Sequence, residues 1–230
     1  MRRRFFPVAI VLMLLCGVAG GTAADVLFAF GGGGPGLGLF MPDLADINVF
    51  VEGSGFTPFD GGLLLIGGGG RGGVMPGAAY GGAGWGAWIE SDQDARHAEY
   101  GLGLGGFDIG YAAGGAKRSI LAVGMLLGGG AAELLLREEA PSATAGLTPH
   151  GIIPQPLDVV YDSVFVFVAP YIDMQIQLLD WIGLSVRAGY IWAPLEFNWS
   201  DVGPFDPPRL IPSGVYFRCS IEFGGITALQ

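Results

Sequence analysis

The chain has 230 residues, 43 of them glycine, and its 21 acidic side chains outnumber 11 basic ones to give a net charge of −10. Such a surface repels nucleic-acid phosphates, which excludes nucleic-acid binding. The two cysteines, Cys16 and Cys219, lie so that only Cys219 outlasts removal of an N-terminal leader. An internal disulfide is then excluded, and stability rests on packing and hydrogen bonding.

The leader is MRRRFFPVAIVLMLLCGVAGGTAAD. Arg2, Arg3 and Arg4 precede an apolar run from Phe5 to Val18 and a small-residue zone from Gly21 to Ala24, the order of a secretory signal peptide. The run is short of the roughly 20 residues of a spanning helix, so residues 1–24 read as a signal peptide rather than as an uncleaved N-terminal anchor. Leu15 stands before Cys16 where a lipoprotein signal needs a small residue. Cleavage leaves residues 25–230 with eight basic and 21 acidic side chains, and this length suits one domain with one core or one closed barrel.

After a first strand near 26–33, residues 34–61 read as a long loop. Within it PDLADINVFVE spaces Leu44, Ile47 and Phe50 or Val51 as a short amphipathic helix does. The next strand, 62–72, ends in LLLIGGGGRGGV, which satisfies GxGxxG at Gly67, Gly69 and Gly72. The pattern recurs at Gly31, Gly33 and Gly36 and at Gly101, Gly103 and Gly106, so it carries little information in this chain. A dinucleotide or phosphate site needs a helix to open at the loop, and the following VMPGAAYGGAGWG, with Pro76 and five glycines, prevents one. No nucleotide and no cofactor is expected, and the glycines read as architecture.

Strands follow near 79–90 and 96–112. In EYGLGLGGFDIGY, Tyr100, Leu102 and Leu104 share one face and Gly101, Gly103 and Gly105 the other; beyond Gly106 the apolar residues are Phe107, Ile109 and Tyr111. The apparent change of phase predicts a β-bulge at the Gly105–Gly106 pair. A strand near 117–137 contains ILAVGMLL, apolar on both faces, as VFVFV is in the strand near 161–178. The last strands alternate cleanly. Ile172, Met174, Ile176 and Leu178 oppose Tyr171, Asp173, Gln175 and Gln177. In the strand near 183–193, Leu184, Val186, Ala188, Tyr190 and Trp192 oppose Ser185, Arg187 and Gly189, with Ile191 out of pattern. In the strand near 214–223, Val215, Phe217, Cys219, Ile221 and Phe223 oppose Tyr216, Arg218, Ser220 and Glu222.

Turns near 73–78, 113–116 and 179–182 are short, while connections 34–61, 138–160 and 194–213 are long and 91–95 is a hairpin. This asymmetry predicts an all-β, antiparallel up-and-down barrel of about eight strands with one helix in its first long loop and membrane lipid as its surroundings. YIDMQIQLLDWIGLSVRAGYIW resembles a hairpin of outer-membrane β-barrel proteins, and GVYFRCSIEF is similar to their closing strand. The resemblance implies an exported, non-catalytic envelope protein in the outer membrane, with a structural, adhesive or small-molecule-binding role. The doubly apolar strands argue against an open porin and suit either a small closed barrel with a dry interior lined by glycine and aliphatic side chains or a soluble β-protein.

Other chemistry has little support. His97 and His150 sit in no metal-binding spacing, and Cys219 reads as a small apolar residue of the outward strand face. Glu90, Asp92, Asp94 and Glu99 read as a solvated hairpin, with weak calcium binding as the alternative. Trp85, Trp88, Trp192 and Trp199 suit an interfacial girdle or core packing rather than a sugar-binding surface. No catalytic, cofactor-binding or metal-binding residue is assigned. Two rival readings stay open: a soluble secreted β-sandwich or barrel that binds a hydrophobic small molecule, and a secreted hydrolase with acids in 91–95 and 194–213.

Overall fold

A computed structural model describes residues 27–114, 118–138, 158–198, 208–210 and 213–229. The leader, His150, Trp199 and most of the connections 139–157 and 199–212 lie outside the described residues. Eight strands form one closed antiparallel ring in chain order: β1 (Phe28–Pro42), β2 (Leu63–Met75), β3 (Gly77–Gln93), β4 (Arg96–Gly114), β5 (Ser119–Glu138), β6 (Asp158–Leu179), β7 (Ile182–Asn198) and β8 (Gly214–Ala228). β1 closes on β8, from Phe28 opposite Ala228 to Pro42 opposite Gly214. A closed ring excludes the β-sandwich reading.

The helix α1 (Ala45–Gly53) stands in the first long connection and buries Ile47 and Val51, as its spacing predicts. Asn48 holds the returning chain in place: its side chain accepts from the Phe59 amide and donates to the Phe59 carbonyl, both at 2.9 Å. Phe56 and Phe59 then join α1 in closing the outer end of the barrel.

Strand β1 runs nine residues beyond its expected end at residue 33. GGGGPGLG suggests a turn, but each glycine pairs across to the equally glycine-rich β2, from Gly31 opposite Gly72 to Gly36 opposite Gly67. Pro35 lacks an N–H, and it falls where the β1–β8 ladder lapses between Gly33 and Gly36. Strand β8 likewise continues through GGITA to Ala228.

The expected bulge at Gly105–Gly106 is absent. β4 keeps unbroken register there, with Gly105 opposite Gly84 and Gly106 opposite Ala83, and β4 shifts against β5 only between Ala112 and Gly114. What changes at this point is the environment of each face. Tyr100, Leu102 and Leu104 are buried inside the outer half of the barrel, while Phe107, Ile109 and Tyr111 are exposed on the outside of the inner half. Between them Asp108 points inward.

Outward positions form an apolar belt. On β5 it runs from Leu121 to Ala131, bounded by Ser119 below and Glu133 above. Its ten residue-to-residue steps of about 3.3 Å, tilted roughly 40°, span about 25 Å along the axis, the height of a membrane-facing band. Tyr80 stacks near Phe107 and Trp181 near Phe223 towards the inner end, while Trp88 and Trp192 stand exposed towards the outer end. These rings occupy the two borders where aromatic side chains suit a lipid–water interface. Cys219 is exposed on the same outward face as Phe217 and Ile221, as the alternation requires.

Candidate functional site inside the barrel

The interior is stratified. At the inner end Phe30, Met75, Ala79, Ala112 and Ile120 form one buried apolar cluster. In the outer half a larger cluster joins Leu65, Trp85, Leu102, Leu134, Phe165 and Phe167 to the underside of α1. Ile191, the residue out of pattern in the sequence, belongs to this outer cluster at 2% exposure. Between the two clusters lies a charged layer.

Alternation places each charge there. Asp108 comes from β4, Asp173 from β6, Arg187 from β7, Arg218 and Glu222 from β8, and Arg71 is the arginine of LLLIGGGGRGGV on β2. All six are buried, and three guanidinium groups face three carboxyl groups. Arg187 is the hub. Its Nε donates to Asp173 Oδ2 at 2.8 Å and its Nη1 to Asp108 Oδ2 at 2.6 Å, while its guanidinium lies 3.7 Å from the Tyr171 ring centroid. Arg71 Nη2 donates to Asp173 Oδ1 at 2.5 Å across 102 residues of sequence. The Ser185 hydroxyl donates to Asp173 at 3.1 Å, and the Tyr171 hydroxyl donates to Asp108. Every oxygen of both carboxylates therefore accepts at least one hydrogen bond, the condition under which buried charge is tolerated. Among the described residues Arg218 has no ion pair of this kind; its guanidinium sits 4.8 Å from the centroid of Trp85, an attraction between cation and ring face.

Glycines make the space for these groups. A Cβ on Gly36 would come within 3.0 Å of the Trp85 ring, one on Gly110 within 3.0 Å of the Tyr171 hydroxyl, and one on Gly189 within 2.6 Å of the Tyr216 ring. Interior glycines thus act as sockets for aromatic rings reaching over from strands one or two places round the ring.

This arrangement corrects the expectation of a dry glycine- and aliphatic-lined interior. The aliphatic lining exists in the outer half and at the inner end, and the layer between is ionic. Polar residues opposite apolar ones in β6, β7 and β8 signal inward charge. Nothing in the sequence joins Arg71 to Asp173, because that contact depends on ring closure.

The sequence candidates at the outer hairpin are spread along its two strands. His97 Nδ1 lies 2.6 Å from Asp92 Oδ1, and its Nε2 lies 3.8 Å from Glu99. The hydrogen bond with Asp92 raises the His97 pKa above its ordinary value, with the Asp92, Glu90 and Glu99 charges adding to it and burial opposing it. Among the described residues no three acidic, histidine or cysteine side chains are grouped to hold a metal ion. Trp85 is in the core, while Trp88 and Trp192 face outwards.

A closed eight-stranded ring with an apolar belt outside and ionic and aromatic packing inside defines a β-barrel of the outer-membrane type. No protein-family model matches the chain, and no curated protein does so either. Among solved structures it is similar to Ail, the attachment invasion locus protein of Yersinia pestis, in complex with the heparin analogue sucrose octasulfate. That match has 7% identity and a TM-score of 0.46, covering 88% of this chain and 99% of Ail. A second structure of Ail matches at 8% identity and a TM-score of 0.45, covering 86% and 97%. The outer membrane protease OmpT from Escherichia coli matches at 12% identity and a TM-score of 0.29, covering 90% and 99%. These likenesses are too distant to carry a role across, and the architecture rests on the chain's own register and packing.

Proposed function

We propose that this chain is a non-catalytic outer-membrane barrel, exported through the leader at residues 1–24, that anchors its outer connections above the bilayer in a structural or adhesive role. The supporting observation is that the barrel is filled from end to end. The inner apolar cluster, the ionic layer and the outer cluster beneath α1 succeed one another, and two small voids between them each have room for about one water. Neither void has room for a hydrophobic ligand or a transported solute.

The outer end supplies the surface. Among the described residues beyond the apolar belt, thirteen acidic side chains stand against three arginines, Arg96, Arg137 and Arg209. An acidic rim repels polyanions of the kind bound in the Ail complex and favours a cationic or neutral partner.

Two measurements test the reading together. Fractionation with a heat-shift gel is expected to find the protein in the outer membrane as a heat-modifiable band. Reconstitution into planar bilayers is expected to give no single-channel steps. Recovery in a soluble fraction sinks the membrane assignment, and regular conductance sinks the role as a closed anchor.

A further inference from the structure

We infer that the ionic layer holds one structural water, bound between Arg71 on β2 and Arg218 and Glu222 on β8. The void in question is lined by Gly70, Arg71, Gly82, Ala83, Asp108, Arg187, Arg218 and Glu222. It lies against the wall where the backbones of Gly70 and Gly82 pair directly across β2 and β3, both at outward-facing positions of their strands.

Two buried donors in its lining, Arg71 Nη1 and Arg218 Nε, lack a protein partner among the described residues. Arg71 is 9% exposed and Arg218 7%. The Glu222 carboxyl group, 6% exposed, takes part in none of the hydrogen bonds or ion pairs of the layer. A buried orphan donor or acceptor destabilises a fold, and nearly all such groups in native proteins find a protein or water partner.

The chemistry of the lining selects the occupant. Two donors and one acceptor suit a molecule that accepts twice and donates once or twice, and the void has room for about one water. A halide would satisfy the two guanidinium donors but would lie against the carboxyl groups of Glu222 and Asp108, which line the same space. A cation would meet the three arginines. Water alone answers both signs of charge. Asp108 already accepts from Tyr171 and Arg187, and Asp173 from Arg71, Arg187 and Ser185, so neither depends on this water for a partner.

The test is a crystal structure of the whole refolded protein at a resolution that shows ordered solvent, with a second crystal soaked in bromide. A single solvent peak between Arg71, Arg218 and Glu222 without a bromine anomalous signal is the expected result. An anomalous peak there replaces water with an anion and overturns the inference, as does a void without density. Two variants at Ala83, whose side chain lines the void, give an independent reading. Ala83→Ser places a hydroxyl where the water stands and is expected to leave the melting temperature within about 2 °C. Ala83→Val expels the water and offers the orphan groups no replacement, so it is expected to melt about 5 °C lower. An Ala83→Val protein that melts higher than wild type would show that the void is dry and that simple filling stabilises it. Should Ala83→Val fail to fold, the solvent peak and the Ala83→Ser melting temperature still decide the matter.

Discussion

The two walls of this barrel solve the same packing problem in opposite ways. Through the middle of β1, β2 and β3 the chain reads mostly glycine, and from these walls Arg71 alone enters the ionic layer. Round the rest of the ring, β6, β7 and β8 send in Tyr171, Asp173, Gln175, Ser185, Arg187, Arg218, Ser220 and Glu222. An eight-stranded barrel has an interior just wide enough for side chains to fill, so bulk on one wall requires its absence on the other. The glycine wall is the complement of the charged one. That is why a sequence so rich in glycine, which weakens strands taken singly, still closes into a regular barrel.

The comparison breaks most violently at the hub of the charged wall. Arg187 holds Asp108 and Asp173 together at 2% exposure. Arg187→Ala strands two buried carboxylates and is expected to cost about 3–5 kcal/mol, a large share of the stability of an ordinary domain. Urea titration of the refolded variant in lipid vesicles measures it. A double replacement, Arg187→Met with Asp108→Asn, removes charge of both signs and is expected to recover part of the loss. If Arg187→Ala unfolds at the wild-type urea concentration, the ionic layer contributes nothing to stability.

Much of this wall is legible in the amino-acid sequence. Period-two alternation in β6, β7 and β8 separates the lipid-facing residues from Asp173, Arg187, Arg218 and Glu222, and the spacing of Ile47 and Val51 marks α1. Two things are not legible, for related reasons. A run such as GGGGPGLG has no side chains with which to show periodicity, so the extent of β1 is hidden and its pairing with β2 can be read only from the partner. The swap of faces at Gly105–Gly106 looks like a bulge because hydropathy cannot tell an apolar side chain in a core from one in lipid. Both faces of a membrane barrel can be apolar, and the sequence does not say at which height each one is.

The glycine wall can be tested against itself. A Cβ on Gly69 would lie 2.7 Å from the Ala83 Cβ and 2.7 Å from the Gly82 carbonyl oxygen, so Gly69→Ala is expected to cost about 1–3 kcal/mol through overpacking. On the outward face of β4, Gly101 and Gly103 have open space where a Cβ would stand. Alanine at either is expected to be neutral or to add up to roughly 1 kcal/mol, because it reduces the entropy lost on folding. The same vesicle unfolding series reads both. Equal losses at Gly69 and Gly103 would show that the glycines are not sorted by packing.

The charged wall offers a chemical reading of which face is which. Cys219 points outward in the apolar belt, while Ser220 is 3% exposed inside. In intact membranes Cys219 is expected to resist a charged maleimide because lipid covers it. A thiol placed by Ser220→Cys in a Cys219→Ala background is expected to resist as well, because packed side chains cover it. Rapid labelling of the interior thiol would mean that water moves freely through the ionic layer, and rapid labelling of Cys219 would put β8 out of phase.

The smallest expected effect lies outside the membrane band, where the hairpin between β3 and β4 carries charge without packing. The hydrogen bond with Asp92 at 2.6 Å, helped by the nearby charges of Glu90 and Glu99, raises the His97 pKa. A histidine whose folded pKa exceeds its unfolded value contributes stability that is fully present below about pH 6.5 and is lost as pH rises through the folded value. The hairpin is therefore expected to be slightly firmer in mild acid than at pH 8. Asp92→Asn removes the leading cause, and titration of the His97 ring by NMR should then give a pKa nearer the ordinary histidine value. Since His97 is only partly buried and Asp92 is exposed, solvent screens the pair and global stability should scarcely move. An unchanged His97 titration in Asp92→Asn would show that the hairpin charges act on it only from a distance. A large fall in overall stability would mean that the outer hairpin is part of the barrel's core rather than an appendage to it.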